Sequence, residues 1–360
     1  MKIVVDINHP ANVHYFKNFI REMEKRGHEI LITASEKEIS YTLLDKYGFS
    51  YVKIGSYGKS ILEKIINVPI LDIKMYQAVK KFQPDLFIGH GSIRAAHVSK
   101  ILGKPCIATE DTEHAKWEHL LYVPFTDAIL TPSCFKKDFG RKQIRYNGYT
   151  ELQYLHPNRF TPNPLVLDEI GLKEGDPFII IRFVSWEAGH DIGQHGIQDK
   201  GKLIKTMEKY GRVFISSEEN LPSEFESYRI HVSPEKIHDL LAYSSLYIGE
   251  GATMATEAAL LGTPSIFVST LASSMGNFVE LEKGCNILYR FSDNQSALDK
   301  AEEILKNPMS KKIWRAKQKQ LLKDKIDLTA FIVWFIEEYP QSFTEIKERP
   351  QILDSHFLGL

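Results

Sequence analysis

The stretch from Ser245 to Val268 constrains the fold of this chain most tightly. A short apolar run, Ser245-Leu246-Tyr247-Ile248, reads as a buried strand and enters Gly249-Glu250-Gly251-Ala252-Thr253-Met254-Ala255-Thr256-Glu257-Ala258-Ala259-Leu260. The alanine-rich part reads as a helix stopped by Gly262 and Pro264, before a second strand at Ser265-Ile266-Phe267-Val268. A strand, a tight turn, a helix and another strand make a βαβ unit, which needs a parallel sheet.

The turn also suggests chemistry. The first amides of a helix have no intrahelical acceptor and carry the positive end of its dipole, so an anion can dock there. Glycines at 249 and 251 would let a phosphate approach the backbone closely. Glu257 falls on the same helical stripe as Met254, Ala258 and Leu261, which should face inward, where a carboxylate is costly. One reading makes Gly249, Gly251, Ala252, Thr253 and Met254 a nucleotide-diphosphate site, with Glu257 accepting hydrogen bonds from a ribose diol. The other makes this ordinary α/β architecture, in which Glu257 reaches a neighbouring cation.

A chain of 360 residues is too long for one ordinary core and suits two domains. Charged residues make up 25% and the net charge is -1, so no global field points to nucleic acid. Cys106, Cys134 and Cys285 lie far apart, without metal-ligand spacing. With a strand at the first residues in place of a signal peptide, the expected compartment is the cytoplasm. The longest apolar stretch near the end, Leu328 to Ile336, is about half the length that spans a bilayer.

Read in order, the chain alternates strands with helices. Strands are expected at 1–7, 29–34, 51–54, 85–88, 105–108, 127–132 and 144–149, with a long amphipathic segment at 60–82 interrupted at Pro69. The segment His156 to Pro164 holds three prolines in nine residues and should be extended. The expected organisation is therefore an N-terminal Rossmann-like domain (1–158), a proline-rich linker (159–177), a C-terminal Rossmann-like domain (178–325), and a C-terminal helix and tail (326–360). In the second half, strands are expected at 178–184, 212–216, 230–232, 245–248 and 265–268, and Ser233-Pro234 should cap a helix running to Leu241.

Open α/β sheets place ligands at strand carboxyl ends, and several reactive side chains fall there. His9 and His14 follow the first strand, and a neutral imidazole suits proton removal from a hydroxyl. Thr109-Glu110-Asp111-Thr112-Glu113-His114 crowds three carboxylates and an imidazole behind the fifth strand; it is either a solvated loop or a set of poised carboxyl groups. Arg182, Trp186 and His190 cluster behind the strand that opens the second half.

The motifs carry a resemblance that covers nearly the whole chain. GEGATMATEAALLGTP is similar to the donor-binding signature of UDP-N-acetylglucosamine 2-epimerases and of the peptidoglycan N-acetylglucosaminyltransferase. IRYNGYTELQYL resembles the epimerase segment that ends its first domain, while DINHPANVHYF and RFVSWEAGHD resemble a glycosyltransferase-like family of unknown function. The resemblance implies an α/β GT-B type fold, two Rossmann-like domains facing across an interdomain cleft. By matching motifs, it implies donor phosphates on Gly251 to Thr253 and ribose hydroxyls on Glu257.

The expected function is that of an inverting, metal-independent glycosyltransferase needing no cofactor, with a nucleotide-sugar, UDP-linked first of all, as donor. A glycan or lipid-linked molecule would be the acceptor, so peripheral contact with the inner face of the membrane is also an expectation. His14 or Asp111, with His9 and Glu110 as further candidates, would take the acceptor proton; Arg182 or His190 would stabilise the leaving diphosphate. Two alternatives stay open: a nucleotide-sugar 2-epimerase and a non-catalytic nucleotide-sugar sensor. Gly89-His90-Gly91-Ser92 stands where the epimerases carry an acidic residue, and Trp186 to Asp191 replaces their arginine-rich loop.

Overall fold

The computed structural model describes residues 1–58, 61–184, 196–217, 220–270 and 275–358. By its internal contacts the chain divides into two compact units, one formed by Met1–Arg159 with Asp324–Leu360 and the other by Phe160–Lys323.

The first unit is built on β1 (Lys2–Ile7), β2 (Glu29–Ser35), β3 (Tyr51–Gly55), β4 (Leu86–His90), β5 (Cys106–Thr109), β6 (Ala128–Pro132) and β7 (Gln143–Tyr146). Among the described residues these form one sheet in the order β3-β2-β1-β4-β5-β6-β7, with every pairing parallel. Ile3, Val4, Val5 and Ile7 of β1 are all buried, as expected of a strand covered on both faces. The second unit holds β8 (Phe178–Phe183), β9 (Arg212–Ser217), β10 (Leu246–Gly249), β11 (Ser265–Val268) and β12 (Leu288–Phe291), ordered β12-β11-β10-β8-β9 and again parallel. In each sheet the strand order reverses once, between β1 and β4 and between β10 and β8, the places where open α/β sheets leave a crevice for a ligand.

Several elements differ from the sequence reading. The helix Ile61–Val79 runs through Pro69 without breaking; Leu71, Met75 and Val79 hold it to the core. Residues 230–232 form no strand, and Ser233 hydrogen-bonds Glu235 instead of capping a helix, so a 3-10 turn, Pro234–Lys236, precedes Ile237–Tyr243. β12 falls where no strand was expected: its four residues, Leu-Tyr-Arg-Phe, make an edge strand too short for a clear alternation. Within the 159–177 linker, a helical turn at Val166–Glu169 follows the prolines and buries Val166 and Leu167.

The C-terminal stretch is three helices, Leu328–Glu337, Gln341–Glu348 and Ile352–Phe357, returned to the first unit. Leu328, Phe331, Ile332, Phe335 and Ile336 are fully buried, which accounts for the hydrophobicity of a segment too short to span a membrane. Glu337 receives Arg26 and His28 at 2.9 Å each, and Thr329 donates to the Gln153 carbonyl at 2.6 Å. Among the described residues no helix is long and apolar enough to cross a membrane.

One buried ion pair organises the first sheet. Asp6 near the end of β1 and Arg94 in the first turn of the helix Ile93–Leu102 are both fully buried. Arg94 donates to both Asp6 oxygens at 2.7–3.0 Å, to Ser35 Oγ at 2.7 Å and to the Ile7 carbonyl at 3.2 Å. Thr33 and Ser92 donate to the same carboxylate at 2.6 and 2.5 Å. Ser92 also caps the helix by accepting from Ala95 N.

Removing one partner strands the other charge in the core, so Arg94→Met or Asp6→Leu should each cost about 3–5 kcal/mol of stability, whereas the double replacement should cost less than the sum. Denaturant unfolding of the three variants measures this.

Candidate functional site

The sheet edges gather the reactive groups of each unit separately. In the first unit, β1 ends at Ile7 and Asn8-His9 turns the chain into the helix Pro10–Lys25. His9 caps that helix, its Nδ1 accepting from Ala11 N at 3.2 Å, while Asn12 Oδ1 accepts from the amides of Asn8 and His9. Its ring is half-exposed, with Nε2 4.0 Å from Glu38. His14 lies one turn along and is buried: its Nδ1 is 3.0 Å from Tyr47 Oη and its ring stacks on Tyr154. The two histidines are therefore held by different partners.

β4 and β5 deliver a tighter constellation. His90 is the last residue of β4, and Thr109, the last of β5, pairs with it in register. His90 Nδ1 lies 3.0 Å from Thr109 Oγ1, and Nε2 lies 3.3 Å from Asp111 Oδ1. Tyr15 packs edge-on against the imidazole. Burial disfavours the imidazolium, but the charge and hydrogen bond of Asp111 together with the charge of Glu110 outweigh burial and hold the His90 pKa above its ordinary 6.5. Burial likewise opposes ionisation of Asp111; the charge of His90, with hydrogen bonds from it, Thr150 and Thr112, holds its pKa below 3.8.

Glu110 faces a different shell. Oε1 accepts from the amides of Asp111 (2.9 Å) and Thr112 (2.7 Å); Oε2 accepts from Tyr122 Oη (2.6 Å) and lies 3.2 Å from His119 Nε2. Burial pushes its pKa up, and the bond to His119 with the charges of His90 and His119 bring it below 4.5. Gly91, at φ +52°, leaves room beside Glu110: an added Cβ would stand 3.1 Å from Oε2. One ligand atom from each of His90, Glu110 and Asp111 lies within 4.8 Å of the others, a spacing a divalent cation uses. A cation there would compete for Glu110 with three hydrogen-bond donors and the neighbouring His119 imidazole.

In the second unit the helix Ala252–Leu260 begins at the reversal of strand order. Gly251, its N-cap, offers no side-chain bond, and Gly251 through Met254 are half-buried. Gly249 pairs with Arg182 across β10 and β8 so closely that a Cβ would meet the Arg182 carbonyl oxygen at 2.7 Å. A Cβ on Gly251 would stand 3.1 Å from Arg182 Cγ and 3.3 Å from Tyr247 Oη, which donates to the Gly251 carbonyl at 3.0 Å. Close approach of backbone atoms thus requires glycine at 249, apart from any ligand, while a side chain at 251 would press on Arg182 and Tyr247.

Glu257 is 5% exposed and shares a 2.9 Å hydrogen bond with His238 Nε2, from the adjoining helix Ile237–Tyr243. This matches the reading in which Glu257 reaches a neighbouring basic group. Glu250 accepts from Val184 N (2.9 Å) and Ile197 N (2.7 Å), tying the backbone on either side of 185–195. Arg182 donates to Ser216 Oγ at 2.6 Å. Trp186 and His190 lie outside the described residues.

The sequence reading passed over His90, although it satisfies the strand-end rule that singled out His9. His119, Tyr122, His238 and Glu250 carry no local signal, because each meets its partner through the fold.

The model of a family described as "Protein of unknown function (DUF354)" matches residues 1–335. Uncharacterized protein MJ0665 of Methanocaldococcus jannaschii is 26% identical over 285 residues, covering 74% of this chain and 81% of that protein. Among solved structures, the UDP-GlcNAc 2-epimerase of M. jannaschii, in complex with UDP-GlcNAc and UDP, matches with a TM-score of 0.60 at 15% identity over 88% of this chain and 98% of that one. The glycosyltransferase SsfS6 of Streptomyces sp. SF2575 matches with a TM-score of 0.59 at 14% identity over 94% of this chain and 100% of that one. At such identities the likeness shows the fold, which is of the GT-B type.

The His90–Asp111 pair predicts a pH signature. Asp111→Asn removes the nearer of the two carboxylate charges that offset burial, so the His90 pKa should fall, as followed by NMR titration of the imidazole. In the native protein the raised His90 pKa gives stability that is present below pH 6.5 and lost as pH rises through its folded-state value. The depressed Asp111 pKa gives stability present above pH 3.8 and lost as pH falls through its own folded-state value.

Proposed function

The chain belongs to the DUF354 family, and from that premise we propose that it is an inverting glycosyltransferase using a nucleotide-diphosphate sugar. The observation that carries the reading is the half-exposed first turn of the helix Ala252–Leu260, set behind Gly251 at the reversal of strand order in the second unit. Backbone amides with no intrahelical acceptor, a helix dipole and flanking glycines form an environment suited to a diphosphate.

The donor diphosphate rests on Gly251, Ala252 and Thr253, with Gly249 and Met254 shaping the turn. Glu257, its orientation fixed by His238, accepts from the ribose hydroxyls. Arg182 offsets charge on the leaving group; Trp186 and His190, outside the described residues, remain donor-binding candidates from the sequence alone. In the transfer step, the bond from the sugar anomeric carbon to the diphosphate oxygen breaks with its electron pair leaving on the diphosphate. The acceptor oxygen bonds that carbon from the opposite face as the acceptor hydroxyl loses its proton.

For that proton we assign the first unit's Asp111, with His90 as its charged neighbour. Glu110, bonded by the Asp111 and Thr112 amides and by Tyr122, holds the loop in shape. His9 and His14, engaged in a helix cap and an aromatic stack, are assigned to positioning the acceptor side. UDP is the natural first nucleotide, since the M. jannaschii epimerase of the same fold was crystallised with it.

Calorimetric titration with UDP tests the donor side. The native protein should bind, and Glu257→Gln should weaken binding about tenfold, or ~1.4 kcal/mol; equal affinity removes Glu257 from the ribose. Asp111→Asn should leave UDP affinity unchanged while abolishing acceptor-dependent UDP release from a UDP-sugar. A rearranged sugar formed without any acceptor would favour the epimerase.

A further inference from the structure

The first unit carries an apolar face that its own core does not use. In the helix Ile61–Val79, Leu71, Met75 and Val79 point into the sheet and are buried, while Ile66, Ile70 and Ile73 repeat at helical spacing on the outside, each roughly half-exposed, with Pro69 among them. The helix is therefore apolar on two faces, only one of which has a core to fill.

The stripe continues onto neighbouring elements. The helix Lys116–Tyr122 buries His119 and Tyr122 and turns Trp117 (78% exposed), Leu120 (65%) and Leu121 outward, with Phe125 following. His97, on the intervening helix Ile93–Leu102, joins the two: its Nδ1 lies 2.7 Å from Asp72 and its Nε2 2.9 Å from the Leu121 carbonyl, with its ring against Phe125. Ile101, on that same helix, is 66% exposed. An outward row of isoleucine, leucine and tryptophan of this kind marks an interaction site in a soluble protein.

The charge around the row chooses the partner. Lys100, Lys104, Lys116 and Lys142 lie on these elements or beside them, Lys142 donating to the Val123 and Pro124 carbonyls next to Phe125. They outnumber the exposed Glu63, Glu118 and Asp127, and Asp72 is engaged by His97. A tryptophan with leucines and isoleucines, rimmed by lysines, suits the headgroup boundary of a bilayer, where the apolar side chains insert and the ammonium groups meet lipid phosphates.

We infer that this face docks the protein peripherally on an anionic lipid surface. The inference stands apart from the sugar-nucleotide reading, since none of these side chains belongs to the donor or proton-transfer groups.

The test is sedimentation of the full chain with vesicles of equal parts phosphatidylcholine and phosphatidylglycerol, against phosphatidylcholine alone. The native protein should pellet with the anionic vesicles, much less with the neutral ones, and less at high salt. Trp117 fluorescence should shift to the blue on binding, a shift lost in Trp117→Phe. Ile70→Gln with Ile73→Gln, and separately Leu120→Gln, should each reduce the bound fraction severalfold with far-ultraviolet circular dichroism unchanged, since these side chains are outside the core. Lys100→Glu with Lys116→Glu should do the same for anionic vesicles. No pelleting of the native protein, or pelleting that the substitutions leave alone, overturns the inference. So does light scattering that shows a dimer which Ile70→Gln with Ile73→Gln converts to monomer, for the face would then cover a second copy of the chain.

Discussion

Parallel pairing is the constraint on which the rest of this molecule depends. Among the described residues every strand of both sheets runs beside its neighbours in the same direction, so the chain must cross over after each one and all strand carboxyl ends in a unit fall on one edge. His90, Thr109 and the Glu110-Asp111 pair meet because β4 and β5 are in register; Gly249 meets Arg182 because β10 and β8 are. No short-range preference would bring those groups together.

In the first sheet a buried charge pair reinforces that constraint. Asp6 and Arg94 join β1 to the helix that follows β4, across the reversal of strand order, and gather Thr33, Ser35 and Ser92 around them. An apolar core could fill the same space, so stability alone does not explain the pair; its geometry does, because a carboxylate with this many donors accepts one arrangement of β1, β2 and the helix. The strand ends that carry His9 and His90 are thereby placed. In the second unit Tyr247, Glu250 and the two glycines do comparable work around Arg182.

The parallel architecture was legible because buried strands read as continuous apolar runs, and β1 and β11 lie where Met1-to-Ile7 and Ser265-to-Val268 suggested. β12, only four residues at a sheet edge, left too little pattern. The return of 324–360 to the first unit was hidden for another reason: its apolar helix faces imply burial but not against what. At the site, residues at strand ends could be found by position, whereas Glu257 could not be seen to share a hydrogen bond with His238, nor Glu110 with Tyr122, until the helices were placed. Pairing of that kind depends on packing between elements and leaves no spacing to read.

The proposed donor site sets a nucleotide diphosphate on the first amides of the helix that begins at Ala252. Backbone amide chemical shifts followed during titration with UDP test it most directly. With the diphosphate at that turn, the largest perturbations fall on Gly251, Ala252 and Thr253 and saturate together. Shifts that leave those three amides unmoved while UDP binds elsewhere, or no saturable shift at all, would contradict it.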